Sequence, residues 1–158
     1  MTTPDAQRTP QPTSTGRTAG RILLGLFLLF AGVSHLTWSR DAFQAQVPDW
    51  LPLNVDVVVL ASGVVEIGLG LALLVLPRWR VPLGWITAAF FVAVFPGNIS
   101  QFTTGTDSFG LDSDLTRGIR LLFQPLLVLW ALWATGAWRA WLDARSEHAD
   151  AAAASSSR

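Results

Sequence analysis

The sequence predicts an all-α protein: a four-helix transmembrane bundle with both termini cytoplasmic and a disordered tail at each end. Of the 158 residues, 51% are hydrophobic and only 14% are charged, well below the roughly 25% that is usual for soluble domains. The apolar residues are gathered into four segments, each close to the roughly 20 residues that a helix needs to cross a bilayer. A chain of this composition requires lipid around it.

The ends of the chain are polar, and the apolar segments lie between them. Residues 1–18 are rich in Pro, Thr, Gln and Arg, and residues 143–158 end in AAAASSSR, so both stretches are predicted to be disordered tails. A transmembrane domain over residues 19–142 remains. Its predicted spans run approximately from Gly20 to Trp38, Val55 to Leu76, Leu83 to Ile99, and Ile119 to Trp141. Since three spans follow the first one, we interpret the first as a helix rather than a cleaved signal peptide.

The spans lack the polar face that helices of a soluble bundle carry. In VVVLASGVVEIGLGLALLVL, for example, apolar residues occur all around the helix, which is typical of a segment surrounded by lipid. We therefore expect the lipid bilayer to be the main partner. The formal net charge is zero and gives no footprint for nucleic acid.

The arginines predict the orientation of the bundle. Eight of the eleven basic residues, all of them Arg, lie in the two tails, within four residues of them, or in the second loop. The positive-inside rule makes that side cytoplasmic. Because Arg supplies every basic residue beside abundant Ala and Gly, we expect a multi-pass protein of a bacterial inner membrane.

Polar side chains interrupt each span in what the orientation makes the outer half of the membrane. Ionisable groups in hydrocarbon cost several kcal/mol unless they are paired, so we expect these side chains to face one another in a shared cavity. Helical spacing supports this, because Ser62 and Glu66 share one face of the second span. The cluster consists of His35, Ser62, Glu66, Asn98, Arg120 and Gln124.

Two interpretations of this cluster remain open. If it is structural, Glu66 pairs with Arg120, Asn98 pairs with Gln124, and His35 caps a helix interface. If it is functional, Glu66 and His35 carry proton chemistry, while Asn98, Arg120, Gln124 and Ser62 bind a ligand. We predict no metal site, because one His and one carboxylate are too few ligands for zinc. With no Cys in the chain, thiol chemistry is excluded.

Two further segments allow alternatives. Pro96, Gly97 and Asn98 either end the third helix, with Asn98 as a local cap, or break it beside a polar cavity. The amphipathic segment from Ser39 to Asn54 either anchors the chain at the membrane interface or forms a lid over the outer mouth of the bundle.

Four short motifs, one per helix and in order, resemble the DoxX-like family of small four-helix membrane proteins. They are AGVSHLTWSRDAFQAQVPDWLP, SGVVEIGLGLALL, VFPGNISQF and RLLFQPLLVLW. The resemblance extends from Arg21 to about Trp138. It gives weight to His35, Pro48, Pro52, Glu66, Pro96, Asn98, Arg120 and Gln124. The absence of Cys departs from the thiol-dependent relatives.

The resemblance implies a membrane subunit of a redox system whose cavity interacts with a quinone, with no covalently bound cofactor. A redox partner subunit would then supply electrons, and assembly into a homo-oligomer is also open. Other relatives act as membrane chaperones, so a non-enzymatic assembly protein is the first alternative. A small-molecule transporter is the second, although the sequence contains no internal repeat to support it.

Overall fold

The computed structural model describes residues 14–105 and 113–156, and these residues form helices joined by short connections. Four of the helices are long and apolar enough to cross a membrane, so the protein is a multi-pass membrane protein. In chain order the helices are α1 (Thr15–Leu36), α2 (Arg40–Gln44), α3 (Val55–Val75), α4 (Arg80–Thr104), α5 (Asp114–Thr135) and α6 (Ala137–Ser156), with a 3₁₀ turn at Pro77–Trp79.

Helices α1 and α3 pack closely because glycines face each other at two levels. A Cβ atom added at Gly32 would lie 2.6 Å from the carbonyl oxygen of Gly63, and one added at Gly70 would lie 2.7 Å from that of Gly25. No side chain fits between backbones at these distances. Small residues allow transmembrane helices to approach in this way.

Helix α5 packs against both α4 and α1. The side chain of Thr135 lies where a Cβ at Gly84 of α4 would be, so α4 and α5 approach closely near the start of α4. On the other side, Trp130 Nε1 donates a hydrogen bond to the Gly20 carbonyl oxygen at 3.1 Å. The bundle is thus two helix pairs, α1 with α3 and α4 with α5, joined through α1 and α5.

The two halves of the bundle are filled differently. We call the half that ends at α2 the α2 half, and the half that ends at α6 the α6 half. The buried apolar core lies mainly in the α6 half, where Leu24, Leu28 and Leu73 are fully buried together with Ala131 and Ala137. The α2 half contains a cavity, described below.

Arg21 supports the α6 half although the sequence places it in the apolar part of α1. Its side chain is buried, and Nη1 donates a hydrogen bond to the carbonyl oxygen of Leu73. Leu73 lies in the last turn of α3, where carbonyl groups lack partners within the helix and carry partial negative charge. Arg21 therefore supplies a hydrogen-bond donor to a carbonyl group at the end of α3, and this hydrogen bond offsets the cost of burying its guanidinium.

The spans begin and end at recognisable caps. Asn54 caps α3 by accepting hydrogen bonds from Asp56 N and Val57 N, and Ser113 forms a capping box with Thr116 at the start of α5. Gly136, at φ 76°, ends α5 in the left-handed conformation that favours glycine. The predicted end of the fourth span at Trp141 was therefore wrong: the span is α5, and Trp141 belongs to α6.

The third span neither ends nor opens at its proline. Helix α4 runs through Pro96 and continues to Thr104, so the predicted end at Ile99 and the expected cap at Asn98 were wrong. Pro125 lies inside α5 in the same way. A transmembrane helix tolerates proline where neighbouring groups satisfy the carbonyl it frees. Both prolines lie beside the polar cluster.

The predicted tails need correction where the structure describes them. Ser14 accepts a hydrogen bond from Arg17 N, so α1 begins at Thr15, within the predicted tail 1–18; residues 1–13 lie outside the described residues. The predicted tail 143–158 is helical as far as Ser156, with every described residue exposed. Alanine has the highest intrinsic helix propensity. This propensity favours a helix in the segment although none of its described residues is buried.

Candidate ligand-binding cavity

A cavity of about 940 Å³ occupies the α2 half of the bundle. Side chains of α1, α3, α4 and α5 form its walls, and the segment Ser39–Asn54, which we call the α2 segment, lies across its end. All six residues of the predicted cluster line it, namely His35, Ser62, Glu66, Asn98, Arg120 and Gln124. Its volume falls in the range of sites that bind small organic molecules, about 300–1,000 Å³.

His35 of α1 and Glu66 of α3 form a buried ion pair in this cavity. His35 Nδ1 lies 2.9 Å from Glu66 Oε2, and each residue is only 8% exposed. The two helices are close enough for this contact because Gly63 lies against His35: a Cβ added there would meet the His35 Cβ at 2.8 Å. The glycine contact and the ion pair thus depend on one another.

The hydrogen of the His35 ring is directed by the backbone. Nδ1 also lies 2.9 Å from the Ala31 carbonyl oxygen, which can only accept a hydrogen bond, so Nδ1 carries the hydrogen. Nδ1 thus lies between the Ala31 carbonyl oxygen and Glu66 Oε2, with its hydrogen directed to the carbonyl oxygen. Nε2 is the ring nitrogen left for a ligand. The ring also stacks on Phe43 of α2 at a centroid distance of 3.3 Å, which fixes its plane.

Glu66 keeps one acceptor open. Its Oε2 atom is buried and receives no hydrogen bond from any group within residues 14–105 and 113–156. A buried carboxylate oxygen without a donor is unfavourable. Because Glu66 lines the cavity, a ligand with a hydroxyl group, or a water molecule, can supply the missing donor.

Two amides connect α4 to α5 on the opposite wall. Asn98 Nδ2 donates to Gln124 Oε1 at 2.9 Å, and Gln124 Nε2 donates to the Phe91 carbonyl oxygen at 2.5 Å. Both polar groups of the Gln124 amide are therefore engaged. Asn98 retains the acceptor oxygen and second N–H hydrogen of its amide as further hydrogen-bonding groups.

Arg120 connects α5 to the α2 segment. Its Nη2 donates to Gln46 Oε1 at 2.6 Å, and the Gln46 carbonyl oxygen lies 2.9 Å from the position of a Cβ at Gly97. Gly97 thus lets the α2 segment rest on the backbone of α4. These contacts place a guanidinium, with five N–H groups, at the end of the cavity.

The α2 segment is fastened to α3 at its other end. Arg40 donates two hydrogen bonds to the Asp56 carboxylate, and Gln44 Nε2 donates a third at 2.9 Å. The hydrogen bond to Asp56 raises the pKa of Arg40 above its ordinary value. Phe43, Gln46 and other residues of the segment line the cavity, so it closes that end, as the lid interpretation predicts.

The rest of the lining is apolar, apart from hydroxyls already engaged in their own helices. Ser62 Oγ donates to the Val59 carbonyl oxygen at 2.9 Å, so Ser62 offers a ligand only acceptor capacity. Aromatic and aliphatic side chains of α1 and α5 form the wall that faces the outside of the bundle, namely Phe27, Phe30, Phe123, Leu126, Leu127 and Trp130. The lining therefore combines polar groups on two opposite walls with an apolar wall between α1 and α5.

The pairing expected for a structural cluster is only partly right. Asn98 does pair with Gln124, but Glu66 pairs with His35, and Arg120 donates to Gln46. Sequence reasoning missed Gln46 altogether. A signal was present, because Phe43, Gln46 and Val47 are spaced to share one side of a helical turn; Gln46 is the polar member of that side.

Comparison with known proteins places the chain in a family without assigning an activity. A family model described as "Domain of unknown function (DUF8561)" matches residues 24–135, which include the whole cavity lining. No curated protein and no solved structure matches the chain.

Proposed function

The chain belongs to the DUF8561 family, and from its site we propose that it binds a quinone-like molecule as a membrane subunit of a redox system. The observation that carries this proposal is a single cavity of about 940 Å³ that is lined by an ionisable pair, three amides and a guanidinium, together with an apolar wall between α1 and α5. An amphipathic ring compound with carbonyl groups is complementary to both kinds of lining.

Hydrogen-bond donors in the cavity suit the carbonyl oxygens of a quinone. The Asn98 amide and the Arg120 guanidinium line the cavity and can donate to such oxygens, and His35 Nε2, on a third helix, can accept a hydrogen bond from a quinol hydroxyl. They come from three helices, so they are spaced around the cavity rather than along one wall. This arrangement fits a ring with oxygens on opposite sides.

Glu66 suits the proton chemistry of the same ligand. Reduction of a quinone to a quinol takes up two electrons and two protons. Glu66, with one oxygen lacking a donor, can accept a hydrogen bond from a quinol hydroxyl and take up or release its proton, with the His35 ring 2.9 Å away. In this proposal a redox partner subunit supplies or removes the electrons.

The resemblance to DoxX-like proteins and the arginine distribution support the setting of this function. The resemblance includes the residues that line the cavity, and its redox-linked relatives act in membranes. Arg17, Arg139 and Arg145 lie at the α6 end, so the positive-inside rule supports a cavity in the outer half of the membrane, which we propose to be a bacterial inner membrane.

Co-purification in native lipid tests the proposal. The full chain is extracted into polymer-bounded native nanodiscs, and bound molecules are identified by mass spectrometry. We expect a quinone at near-stoichiometric amounts. Glu66→Gln should reduce it about tenfold or more, since a hydrogen bond to a charged group contributes about 1.5–3 kcal/mol, and Asn98→Leu should reduce it about two- to tenfold, since a neutral one contributes about 0.5–1.5 kcal/mol.

Thr103→Val is the matched control, because Thr103 is exposed on α4 and donates only within its own helix. The proposal fails if no quinone co-purifies and an added decyl-substituted benzoquinone does not bind. Recovery of a transmembrane protein in place of a quinone would instead favour the assembly-protein alternative.

A further inference from the structure

The wall between α1 and α5 differs from the other sides of the cavity because its residues also form the outer surface of the bundle. Phe30 is 65% exposed, Phe123 57% and Leu126 56%, and all three line the cavity. In a multi-pass protein these surfaces face acyl chains. Only side chains therefore separate the cavity from the bilayer on this side.

The α1–α3 side, the α4–α5 side and the α2 end are closed by backbone contacts or hydrogen bonds, and on the α3–α4 side none of the α3 residues that line the cavity is exposed. Gly32 and Gly63 bring α1 and α3 into backbone contact, Asn98 and Gln124 join α4 to α5, and the α2 segment is fastened across the end. The core of the α6 half closes the cavity from below. A long ligand therefore has a path between α1 and α5, where exposed side chains of both helices line the cavity.

Aromatic side chains frame this path. Trp130 marks its border on the α6 side, where it bonds to Gly20 and contacts Phe27 at a ring-centroid distance of 6.3 Å. Trp38, which lies 5.9 Å from Phe30 between ring centroids, marks the border on the α2 side. These four aromatic side chains carry no charge, so the border of the path suits a neutral hydrocarbon chain.

We infer that the gap between α1 and α5 is a lateral portal, through which the hydrocarbon chain of the bound molecule extends into the bilayer. The ligand class is thus a lipid-resident ring compound with a long alkyl or isoprenoid tail: the ring lies against the polar groups, and the tail passes Phe30 and Phe123. This inference rests on the proposed function and adds the tail and its exit route.

Because the chain has no Cys, single cysteines can be labelled selectively to block the portal. Phe123→Cys and Phe30→Cys place a bulky, non-fluorescent maleimide at the rim. Leu122→Cys and Leu26→Cys are matched controls, since these residues are 68% and 51% exposed on the same helices but do not line the cavity. Ala93→Cys tests the α3–α4 side, because Ala93 is exposed and lines the cavity there.

Two probes separate the ring from its tail: a decyl-substituted benzoquinone and the same ring without the chain. Binding to the labelled full-length variants in nanodiscs is measured by quenching of tryptophan fluorescence. We expect labels at positions 123 and 30 to weaken binding of the decyl compound about tenfold, because its tail has lost its path. The ring compound, which fits inside the cavity, should bind every labelled variant as it binds the unlabelled chain.

A decyl benzoquinone with a photoreactive group at the end of its tail gives an independent readout. Its crosslinks should fall on α1 and α5 at Phe30, Phe123 or Leu126. Crosslinks on the α2 segment, or loss of decyl binding only with the label at position 93, would overturn the portal while ring binding still supported the proposed function. Failure of both probes to bind the unlabelled chain would instead remove the proposed function itself.

Discussion

The α6 half and the α2 half are built from the same four long helices, yet one is packed with aliphatic side chains and the other encloses about 940 Å³. Leu24, Leu28 and Leu73 fill the first half without exposed surface. In the second half the same helices carry His35, Glu66 and Gln124 around open space. This difference indicates that packing in the α6 half stabilises the folded bundle. The α2 half has fewer packing contacts, and its helices hold polar groups around a cavity instead.

The glycine contact between α1 and α3 gives the largest expected effect. Gly32→Leu inserts a side chain where a Cβ alone would lie 2.6 Å from the Gly63 carbonyl oxygen. We expect the free energy of unfolding to fall by more than about 3 kcal/mol, seen as loss of monodisperse protein in size-exclusion chromatography after mild extraction.

Gly68→Ala on α3 is the control, because nothing lies within 4 Å of its Cβ position. This variant should be neutral or more stable by up to about 1 kcal/mol. An unchanged thermal midpoint for Gly32→Leu would mean that α1 and α3 can separate without loss of the fold.

A matched pair of leucines compares the two halves directly. Leu73→Ala empties a fully buried position of the α6 half, and we expect a loss of about 2–5 kcal/mol in unfolding free energy. Leu127→Ala removes the same atoms from the cavity wall, where less contact is lost. Thermal unfolding in detergent measures both. Equal losses would show that the α2 half is packed as tightly as the α6 half.

The amide pair tests how much the polar groups contribute to stability. Asn98→Ala and Gln124→Ala, alone and combined, form a double-mutant cycle across the 2.9 Å hydrogen bond. We expect a coupling free energy of about 0.6–1.7 kcal/mol, the range found between transmembrane helices. The single change at Gln124 should cost more, because it also leaves the Phe91 carbonyl without its second donor. Additive effects would remove the pair as a link between α4 and α5.

The fastening of the α2 segment should have the smallest effect on stability. Arg40 and Asp56 are partly exposed, so the pair is screened by salt. Arg40→Gln should leave the thermal midpoint unchanged but accelerate amide hydrogen exchange in residues 40–47. Arg139→Gln, at an exposed position of α6, is the control. Unchanged exchange in Arg40→Gln would show that other contacts hold the segment.

The sequence predicts the spans and the convergence of the polar side chains because both follow from helical geometry. Four apolar runs of bilayer length define the helices, and the polar side chains within them must turn away from lipid. The same reasoning placed Ser62 and Glu66 on one face, and both line the cavity in the structure. The spacing of residues therefore predicts which side chains share one face of a helix.

The partners across helices were not readable in the same way. Opposite charge suggested Glu66 with Arg120, but the glycine contact at Gly63 brings His35 to Glu66 instead, and a connecting segment delivers Gln46 to Arg120. Such pairings depend on how far each helix is shifted along its neighbour. By contrast, the sequence carried a signal for the end of α5 that the prediction of Trp141 missed, because Gly136 follows the common rule for helix ends.

The division into two helix pairs has a consequence for biogenesis. Each pair consists of helices that are consecutive spans, so α1 can associate with α3, and α4 with α5, as soon as each hairpin leaves the insertion machinery. The cavity lies along the seam between these hairpins and is therefore the last feature to form. Two co-expressed fragments, divided between Val75 and Arg80, should each insert independently and then reassociate. A ligand bound in the cavity should stabilise this association, because it contacts both hairpins.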